Sequence, residues 1–583
     1  MNKTGAQIFV EWLRQEGIGV VFLLPGLLID ALFVHLAEST NLVTVVANQE
    51  LAAGFMADGY ARATNKLGVC LGIGTIGATN MLTAAVTARA DGSAVLFVTG
   101  NIPDRLKDLG TFQDGWPGGT DDVFLFSRIA GNSAVVRNVA SLYPTLQAIA
   151  SNMRYPLRFP AHLSIPTDVQ EELTGEDSVQ FCHVHADAAP VGDDLAALRK
   201  MASLLSDAQR PVLLAGPRMV SPDGAEFLCR FAEAFTIPVA STMSAKGILP
   251  EDHPLSLGNF GYAGSKIANS ALLDSDIDLL LILGAEFNER DSLCWDERIR
   301  SHPRQVIRVD PKPDMYAHDL KADIDVAVDC VSALSQWLAW NKNEPALSDD
   351  TVIQRKIWVE SLTVPSIQLA ALPENTETGT IPLDEVVQAL RLSLPVETNL
   401  VVDAGLHRIF AGRHWQSLRP GSFFSACGLA PIGWAIAAAI GIKLARPDQP
   451  VAVLTGDGCM RAHGGEIATM VRYGLPILII VSNNSSYESV HNRQKNGHPA
   501  AHLSLLPEID WVQFGRSLGA DGARATTLRE VRDFLEKVLA SGISSIGAKK
   551  RPFILEVMTP IDQRISDPAT IPAAAVSGKS RYY

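Results

Sequence analysis

The sequence predicts an α/β fold with three doubly wound domains, each a parallel sheet with helices on both faces. Two observations support this prediction. Short apolar segments typical of buried strands alternate with helical segments, and the alternation falls into three blocks separated by polar stretches. The chain of 583 residues is also too long for one hydrophobic core. We expect the domains to span residues 1–178, 190–341 and 375–583.

Each block contains several apolar segments of strand length. They are VVFLL, LVTVVA, VCLGIG and AVLFVTG in the first block, which closes near HLSIPTDV at 162–169, PVLLAG, PVAST, DLLLILG and QVIRVD in the second, and NLVVDAG, PVAVLTGDG, LPILIIVSNN and PFILEVM in the third. Continuous apolar runs of this kind are typical of parallel strands buried on both faces. The first and third blocks show the same alternation, which predicts one architecture used twice.

Composition excludes several classes of protein. A net charge of −14 argues against a nucleic-acid partner, which would require a basic face. The seven cysteines are scattered without a C-x-x-C pair, which indicates neither a disulfide framework nor a zinc site. The apolar run near the start is interrupted by Pro25, Gly26 and Asp30, so it is too short to span a membrane. We therefore expect a cytoplasmic protein without a membrane partner.

The densest chemical signal lies in the third block. Gly456, Asp457 and Gly458 follow a buried strand, and Asn483 and Asn484 follow the next strand. The carboxyl ends of parallel strands are where open sheets bind ligands. Glycines allow close backbone approach to a phosphate, and carboxylate and amide oxygens suit Mg²⁺. A lone Gly-Asp-Gly would be an ordinary strand–helix turn, but the asparagine pair makes the combination specific.

This combination resembles the diphosphate- and metal-binding motif of thiamine-diphosphate-dependent enzymes. The resemblance implies that Asp457, the Asn484 side chain and the Ser486 backbone oxygen bind Mg²⁺. It also implies that the glycine turn and the residue after it contact the diphosphate; these are Gly456, Gly458 and Cys459.

Two upstream segments extend the resemblance to acetolactate synthases. The segment 403–415 is similar to the strand end that touches the diphosphate there, and 427–441 is similar to the glycine turn and helix that follow. Ile432 matches the apolar wedge that bends the cofactor. The implied cofactor contacts are Ala404, Gly405, Leu406, His407, Gly428, Ala430 and Ile432.

The first block carries a matching glutamate. Alone, Glu50 would be an acidic residue favoured in a first helical turn. The segment 45–62 resembles the family motif in which this glutamate hydrogen-bonds the pyrimidine N1′, although Gln49 stands where many members have histidine. Gly77 and Asn80 match further cofactor-binding positions, and Gln113 matches a residue that approaches the reacting carbons.

The family resemblance implies thiamine diphosphate and Mg²⁺ as cofactors. It also implies that the two halves of each site come from different subunits, so we expect a homodimer or homotetramer. FAD is possible but not favoured. Glu286 stands where acetolactate synthases have an arginine that helps to hold flavin, and Gly131 stands in place of their lysine.

The predicted function is that of a carboligase or lyase that acts on a 2-oxo acid or related ketone. The turn after Pro25 would present Leu27 and Leu28 to the cofactor, and such an apolar turn favours carboligation. Two alternatives stay open: a decarboxylase or lyase that uses no acceptor and acts on a 2-oxo acid, an acyl-CoA or a cyclic diketone, and a catalytically retired cofactor-binding paralogue.

Overall fold

The structure is a computed structural model, and it confirms the predicted fold class. Three six-stranded sheets follow one another along the chain, and every strand pair in them is parallel. The described residues are 2–107, 109–114, 120–154, 158–175, 195–273, 276–300, 304–312, 322–343, 347–362, 379–494, 499–547 and 549–563. The predicted boundaries at 178, 190 and 375 fall outside these ranges, so the domain limits stay predictions.

The first sheet has the strand order β2-β1-β3-β4-β6-β5. Its strands are β1 Val20–Leu23, β2 Val43–Val46, β3 Gly68–Ile73, β4 Val95–Asn101, β5 Asn132–Val135 and β6 Ala161–Pro166. Its helices are α1 Gly5–Gln15, α2 Asp30–Glu38, α3 Glu50–Thr64, α4 Ile76–Ala90, α5 Asp122–Ser127, α6 Val139–Met153 and α7 Thr167–Glu171. The central strands β3 and β4 are buried along their whole length, as their apolar sequences predict.

The middle sheet has the order β12-β11-β10-β7-β8-β9, which is the arrangement of dinucleotide-binding domains. Its strands are β7 Pro211–Ala215, β8 Val239–Ser241, β9 Ser256–Asn259, β10 Leu279–Leu283, β11 Gln305–Val309 and β12 Ile324–Val326. Its helices are α8 Leu195–Asp207, α9 Pro222–Phe235, α10 Lys266–Leu273, α11 Cys330–Asn343 and α12 Asp349–Leu362. Helix α12 joins this domain through the buried Arg355, whose guanidinium donates to carbonyls at the ends of α8 and α9.

The third sheet, β14-β13-β15-β16-β18-β17, repeats the order of the first. Its strands are β13 Asn399–Val402, β14 Phe423–Ser425, β15 Val451–Gly456, β16 Ile477–Asn483, β17 Asp521–Ala525 and β18 Phe553–Met558. Its helices are α13 Leu383–Ser393, α14 Leu406–His414, α15 Trp434–Ala445, α16 Asp457–His463, α17 Ile467–Arg472, α18 Glu488–Gln494, α19 Trp511–Ser517 and α20 Leu528–Ala540. The prediction of one architecture used twice agrees with this shared order.

Helices α3 and α15 join the first and third domains into one apolar core. Both helices are buried on nearly all sides, and small residues let their backbones approach closely. A Cβ atom on Gly59 would lie 2.2 Å from the carbonyl oxygen of Ala438, and one on Gly441 would lie 1.9 Å from that of Met56. Among the described helices, none is long and apolar enough to cross a membrane.

The Gly59→Ala variant is expected to unfold at lower temperature than the wild type. In an isolated helix this change stabilises by about 1 kcal/mol, because alanine is the better helix former. Here the added methyl group meets backbone rather than a movable side chain, so overpacking should cost about 1–3 kcal/mol. The midpoint temperature of thermal unfolding, measured on the purified protein, shows whether the variant is less or more stable than the wild type. An unchanged or higher transition temperature would show that the two helices are not packed in this way.

Candidate functional site

The main cavity lies where the strand order of the third sheet reverses. After β13 the chain turns to one side to form β14, and after β15 it continues on the other side, which leaves a crevice between the ends of β13 and β15. The cavity there has a volume of about 510 Å³. It collects every third-domain residue predicted to bind the cofactor: Ala404, Gly405, Leu406, His407, Gly428, Ala430, Ile432, Gly456, Asp457, Gly458, Cys459, Asn484 and Ser486.

The three predicted metal ligands lie together on this cavity. Helix α16 begins at Asp457, directly after β15. One carboxylate oxygen of Asp457 accepts hydrogen bonds from the backbone N–H groups of Asn484 and Ser485, at 2.9 and 3.0 Å. The Ser486 hydroxyl donates to the Asn484 side-chain oxygen at 2.8 Å. A carboxylate, an amide oxygen and a backbone carbonyl are hard ligands that fit Mg²⁺, which takes its remaining ligands from phosphate and water.

A hydrogen bond from a side chain also holds the Asp457 carboxylate. The indole N–H of Trp511 donates to its other oxygen at 2.8 Å. Burial raises the pKa of Asp457, while these hydrogen bonds act in the opposite direction. Each carboxylate oxygen can still offer a lone pair to a cation, so the hydrogen bonds orient the ligand without consuming it.

His407 supplies a polar atom without a partner. Its ring is buried against Gly405 and Gly456, and Nε2 has no hydrogen-bond partner among the described residues. Burial, together with the nearby Arg408, lowers the pKa of His407 to about 3, so the ring is neutral. An anion beside the ring would favour its protonated form and receive a hydrogen bond from Nε2. This fits the predicted diphosphate contact.

The glycine turn before α15 is fixed in an unusual conformation. Ala430 has φ of +57° and Gly433 has φ of +80°, both in the left-handed region. The turn is anchored by Asp91 of the first domain, whose carboxylate accepts the backbone N–H groups of Cys427 and Gly428, each at 2.9 Å. Ile432 is 48% exposed on the cavity, as a residue that contacts a ligand requires.

Glu50 lies with its predicted neighbours in the first domain. It is the first residue of α3 and is 5% exposed. The Asn80 amide donates to one of its carboxylate oxygens at 3.0 Å. The other oxygen faces Gly77, where an added Cβ atom would lie 3.3 Å away. Gln113 is strained at φ of +67°, and its Oε1 atom is buried without a partner in the described part of the chain.

The structure does not bring the two half-sites together within one chain. Among the described residues, those that line the third-domain cavity come from the middle and third domains, so Glu50, Asn80 and Gln113 lie elsewhere.

One expectation about the turn after Pro25 is corrected. Leu27 is 60% exposed as predicted, but Leu28 is buried in the core of the first domain, because a short 3₁₀ turn points the two side chains in different directions.

Family comparisons agree with this geometry. Residues 3–122 match the family "Thiamine pyrophosphate enzyme, N-terminal TPP binding domain". Residues 198–337 match its central domain, and residues 403–557 match its C-terminal TPP binding domain. Thiamine pyrophosphate is another name for thiamine diphosphate. The chain belongs to the thiamine-diphosphate-dependent enzymes. The predicted recognition, the enzyme class and the thiamine cofactor are therefore confirmed.

Several relatives of this thiamine-diphosphate enzyme are named acetolactate synthases. A "Probable acetolactate synthase large subunit" of Methanocaldococcus jannaschii is 29% identical over 563 residues, which cover 95% of this chain and 91% of the relative. An "Acetolactate synthase large subunit" of Parasynechococcus marenigrum is 29% identical over 568 residues, covering 93% and 86%. An "Acetolactate synthase isozyme 1 large subunit" of Escherichia coli is 29% identical over 494 residues, covering 84% and 83%.

Sequence reasoning missed the middle-domain side of the cavity. The cavity is also lined by Tyr262, Glu289 and Arg290. The Arg290 guanidinium lies over the Tyr262 ring, 5.5 Å from its centre, and forms no ion pair with a described carboxylate. The signal was present, because Arg290 lies four positions after Glu286 in a segment that the sequence already singled out.

The middle domain has its own switch point, between the ends of β7 and β10. The cavity at this place is lined by all three domains and measures only about 90 Å³, whereas sites for cofactor-sized ligands occupy about 300–1,000 Å³. Arg218 and Glu286 line it, and the Arg218 Nε atom donates to Asp310 at 2.7 Å. Burial raises the pKa of Glu286 to about 8. Arg62, Lys66 and Arg158 line the same cavity, so its small volume rather than its charge argues against a flavin nucleotide.

Proposed function

We propose that this enzyme is a carboligase of the acetolactate synthase type that takes a 2-oxo acid as donor. The observation that carries the proposal is the composition of the third-domain cavity. It combines the proposed diphosphate and metal ligands with a cationic side chain, Arg290, which lines the same cavity. A guanidinium suits the carboxylate of a 2-oxo acid. The names of the relatives support the same reaction class.

Bound thiamine diphosphate supplies a nucleophilic carbon and an electron sink for the reaction. The chain's own residues hold it in place. Asp457, Asn484 and Ser486 would bind Mg²⁺, and Ile432 would support the bound cofactor. Glu50 would bond the pyrimidine ring through the carboxylate oxygen that faces Gly77, while Asn80 holds the other oxygen. The exposed Leu27 keeps the reacting face apolar, which limits protonation by water.

The active unit in this proposal is a homodimer or a pair of dimers. Apolar side chains are exposed near each half-site: Leu27, Ile76 and Phe112 in the first domain, and Leu429 and Ile432 on the third-domain turn. A second copy of the chain would cover both groups and place its Glu50 over the diphosphate cavity. Twofold assemblies are also the commonest oligomers. Gln113 would then approach the reacting carbons from the same subunit as Glu50.

We also propose that flavin is not required, on the strength of the small crevice around Glu286. A cytoplasmic location is supported by the free cysteines, which form no disulfide in the described part of the chain. Domain limits of 1–178, 190–341 and 375–583 agree with one complete sheet in each range.

The proposal is tested by proton NMR of the purified protein with Mg²⁺, thiamine diphosphate and a panel of 2-oxo acids, each with and without an aldehyde acceptor. A hydroxyketone that requires both cofactors is the expected product. Release of an aldehyde alone would replace the proposal with the decarboxylase alternative. Cofactor binding without turnover of any donor would instead support the retired paralogue.

Replacing Arg290 with glutamine is expected to lower kcat/KM for the 2-oxo acid about 10- to 100-fold, mainly through KM. A hydrogen bond to a charged group contributes about 1.5–3 kcal/mol, and the variant loses that bond to the substrate carboxylate. Steady-state kinetics measure the effect, and calorimetry should show unchanged cofactor affinity. Arg300→Gln, an exposed arginine of the same segment, is the matched control. Equal KM values in the two variants would remove Arg290 from substrate binding.

A further inference from the structure

The segment before Glu50 is attached to the third domain of the same chain. The Tyr473 hydroxyl accepts the backbone N–H of Val46 at 2.8 Å and donates to the Thr44 carbonyl at 3.1 Å. The Glu466 carboxylate accepts the Asn48 backbone N–H at 3.1 Å. Two side chains of the third domain thus hold the end of β2 and the residue after it, so the position of Glu50 depends on them.

The last of these attachments is made by Gln49 itself. Gln49 is the residue before α3, and its side chain does not cap that helix. Its amide instead donates to Nδ1 of His463 at 2.9 Å. His463 is 4% exposed and lies edge-on against Phe55, with 5.6 Å between ring centres. Burial lowers the pKa of His463 to about 4, so the ring is neutral and Nδ1 can accept.

His463 also contacts the cofactor-binding side of the third domain. It is the last residue of α16, whose first residue is the metal ligand Asp457, about 9 Å away along the helix. Its ring fills the space where Gly433 would carry a Cβ atom, which would lie only 2.5 Å from the ring. Gly433 directly follows Ile432 on the turn that supports the cofactor. His463 therefore belongs to the helix that begins at the metal ligand, and its ring contacts both this turn and the residue next to Glu50.

We propose that His463 is a positioning residue that acts through Gln49 to hold Glu50 in its place against the cofactor. The inference rests on the proposed function, in which Glu50 bonds the pyrimidine N1′. Histidine at position 463 and glutamine at position 49 form one unit: the amide donates, the ring accepts, and Gly433 leaves the room that the ring needs. Neither residue touches the reacting atoms.

The test compares His463→Ala, Gln49→Ala and the double variant. The measurement is the rate at which bound thiamine diphosphate exchanges its C2 proton, followed by NMR after acid quench, because Glu50 promotes that exchange. Each single variant is expected to lower the rate about 10- to 100-fold, as small displacements of a catalytic group do. The double variant should be no slower than the singles, because both remove the same contact. Cofactor affinity, measured by calorimetry, should change less than the rate.

Two further variants keep the test decisive. His463→Gln preserves a hydrogen-bonding partner for Gln49 and should restore most of the exchange rate. His253→Ala removes a partly buried histidine of the middle domain and should leave the rate unchanged. An unchanged rate in His463→Ala, or additive losses in the double variant, would overturn the inference. A wild-type protein that binds no thiamine diphosphate, or binds it without exchange, would overturn the proposed function instead.

Discussion

The Glu50→Gln variant is expected to lose about 10²- to 10⁴-fold in kcat while it still binds thiamine diphosphate and Mg²⁺, which is the range for loss of a positioned acid–base group. The amide keeps the size of the side chain and one oxygen that can accept from Asn80. It can no longer exchange a proton with the pyrimidine ring. Steady-state kinetics on the donor identified by NMR give kcat, and the C2 exchange rate should fall in parallel.

Cofactor affinity is the control for Glu50→Gln, because the metal and diphosphate ligands lie in another domain. A dissociation constant for thiamine diphosphate that changes less than kcat would place the loss in the chemical step. Glu50→Asp should also be impaired, since the shorter side chain withdraws its carboxylate from the cofactor. Retention of more than about a tenth of the wild-type kcat in Glu50→Gln would contradict the assigned role.

The sequence predicted most of the central strands because they must be apolar on both faces. It missed most of the edge strands, which pair on one side only and need no continuous apolar run. Strand β17 has the sequence DGARA and is largely accessible, and β5 is only half buried. The edge strands without a prediction were β5 Asn132–Val135, β9 Ser256–Asn259, β12 Ile324–Val326, β14 Phe423–Ser425 and β17 Asp521–Ala525, and the interior strand β6 Ala161–Pro166 was also not predicted.

The sequence pattern of residues 461–474, after the Gly-Asp-Gly turn, predicts one continuous helix. The structure instead begins α16 at Asp457 and interrupts it at Gly464 and Gly465, before α17. Two adjacent glycines weaken a helix by about 1 kcal/mol each, which is enough to favour a short 3₁₀ turn there. The early start matters for the site, because it places Asp457 at the positive end of the helix dipole.

Whether a site residue could be predicted depends on whether its contacts lie within one domain or between domains. Third-domain ligands follow strand ends that are adjacent in the sheet, so a local motif predicts that they meet. Arg290 and the Gln49–His463 contact depend on how domains pack, and a motif contains no information on that packing. Leu28 was misplaced for a local reason: a single 3₁₀ turn decides which of two neighbouring leucines faces outward.

Replacing Asp457 with asparagine is expected to weaken Mg²⁺ binding and kcat by more than about 100-fold each, beyond the 10- to 100-fold typical of losing a supporting hydrogen bond. Asp457 is the one charged group among the three proposed ligands. Its oxygens also accept from the Asn484 and Ser485 backbones and from the Trp511 indole. An asparagine NH₂ group would face one of these donors, so the metal loop should lose order as well as charge.

Calorimetric titration of Mg²⁺ into protein with saturating thiamine diphosphate measures the effect of Asp457→Asn, and chelation of the wild-type enzyme should reproduce its loss of activity. Trp511→Phe removes one supporting hydrogen bond but no ligand, so its Mg²⁺ affinity should fall between wild type and Asp457→Asn. Asp510→Asn changes a neighbouring carboxylate that caps α19 and should bind Mg²⁺ normally. If all three variants bound Mg²⁺ equally, the metal would lie elsewhere. If Mg²⁺ affinity instead fell slightly in Trp511→Phe and strongly in Asp457→Asn, the loss would be due to the carboxylate at the end of β15 and to the indole that orients it.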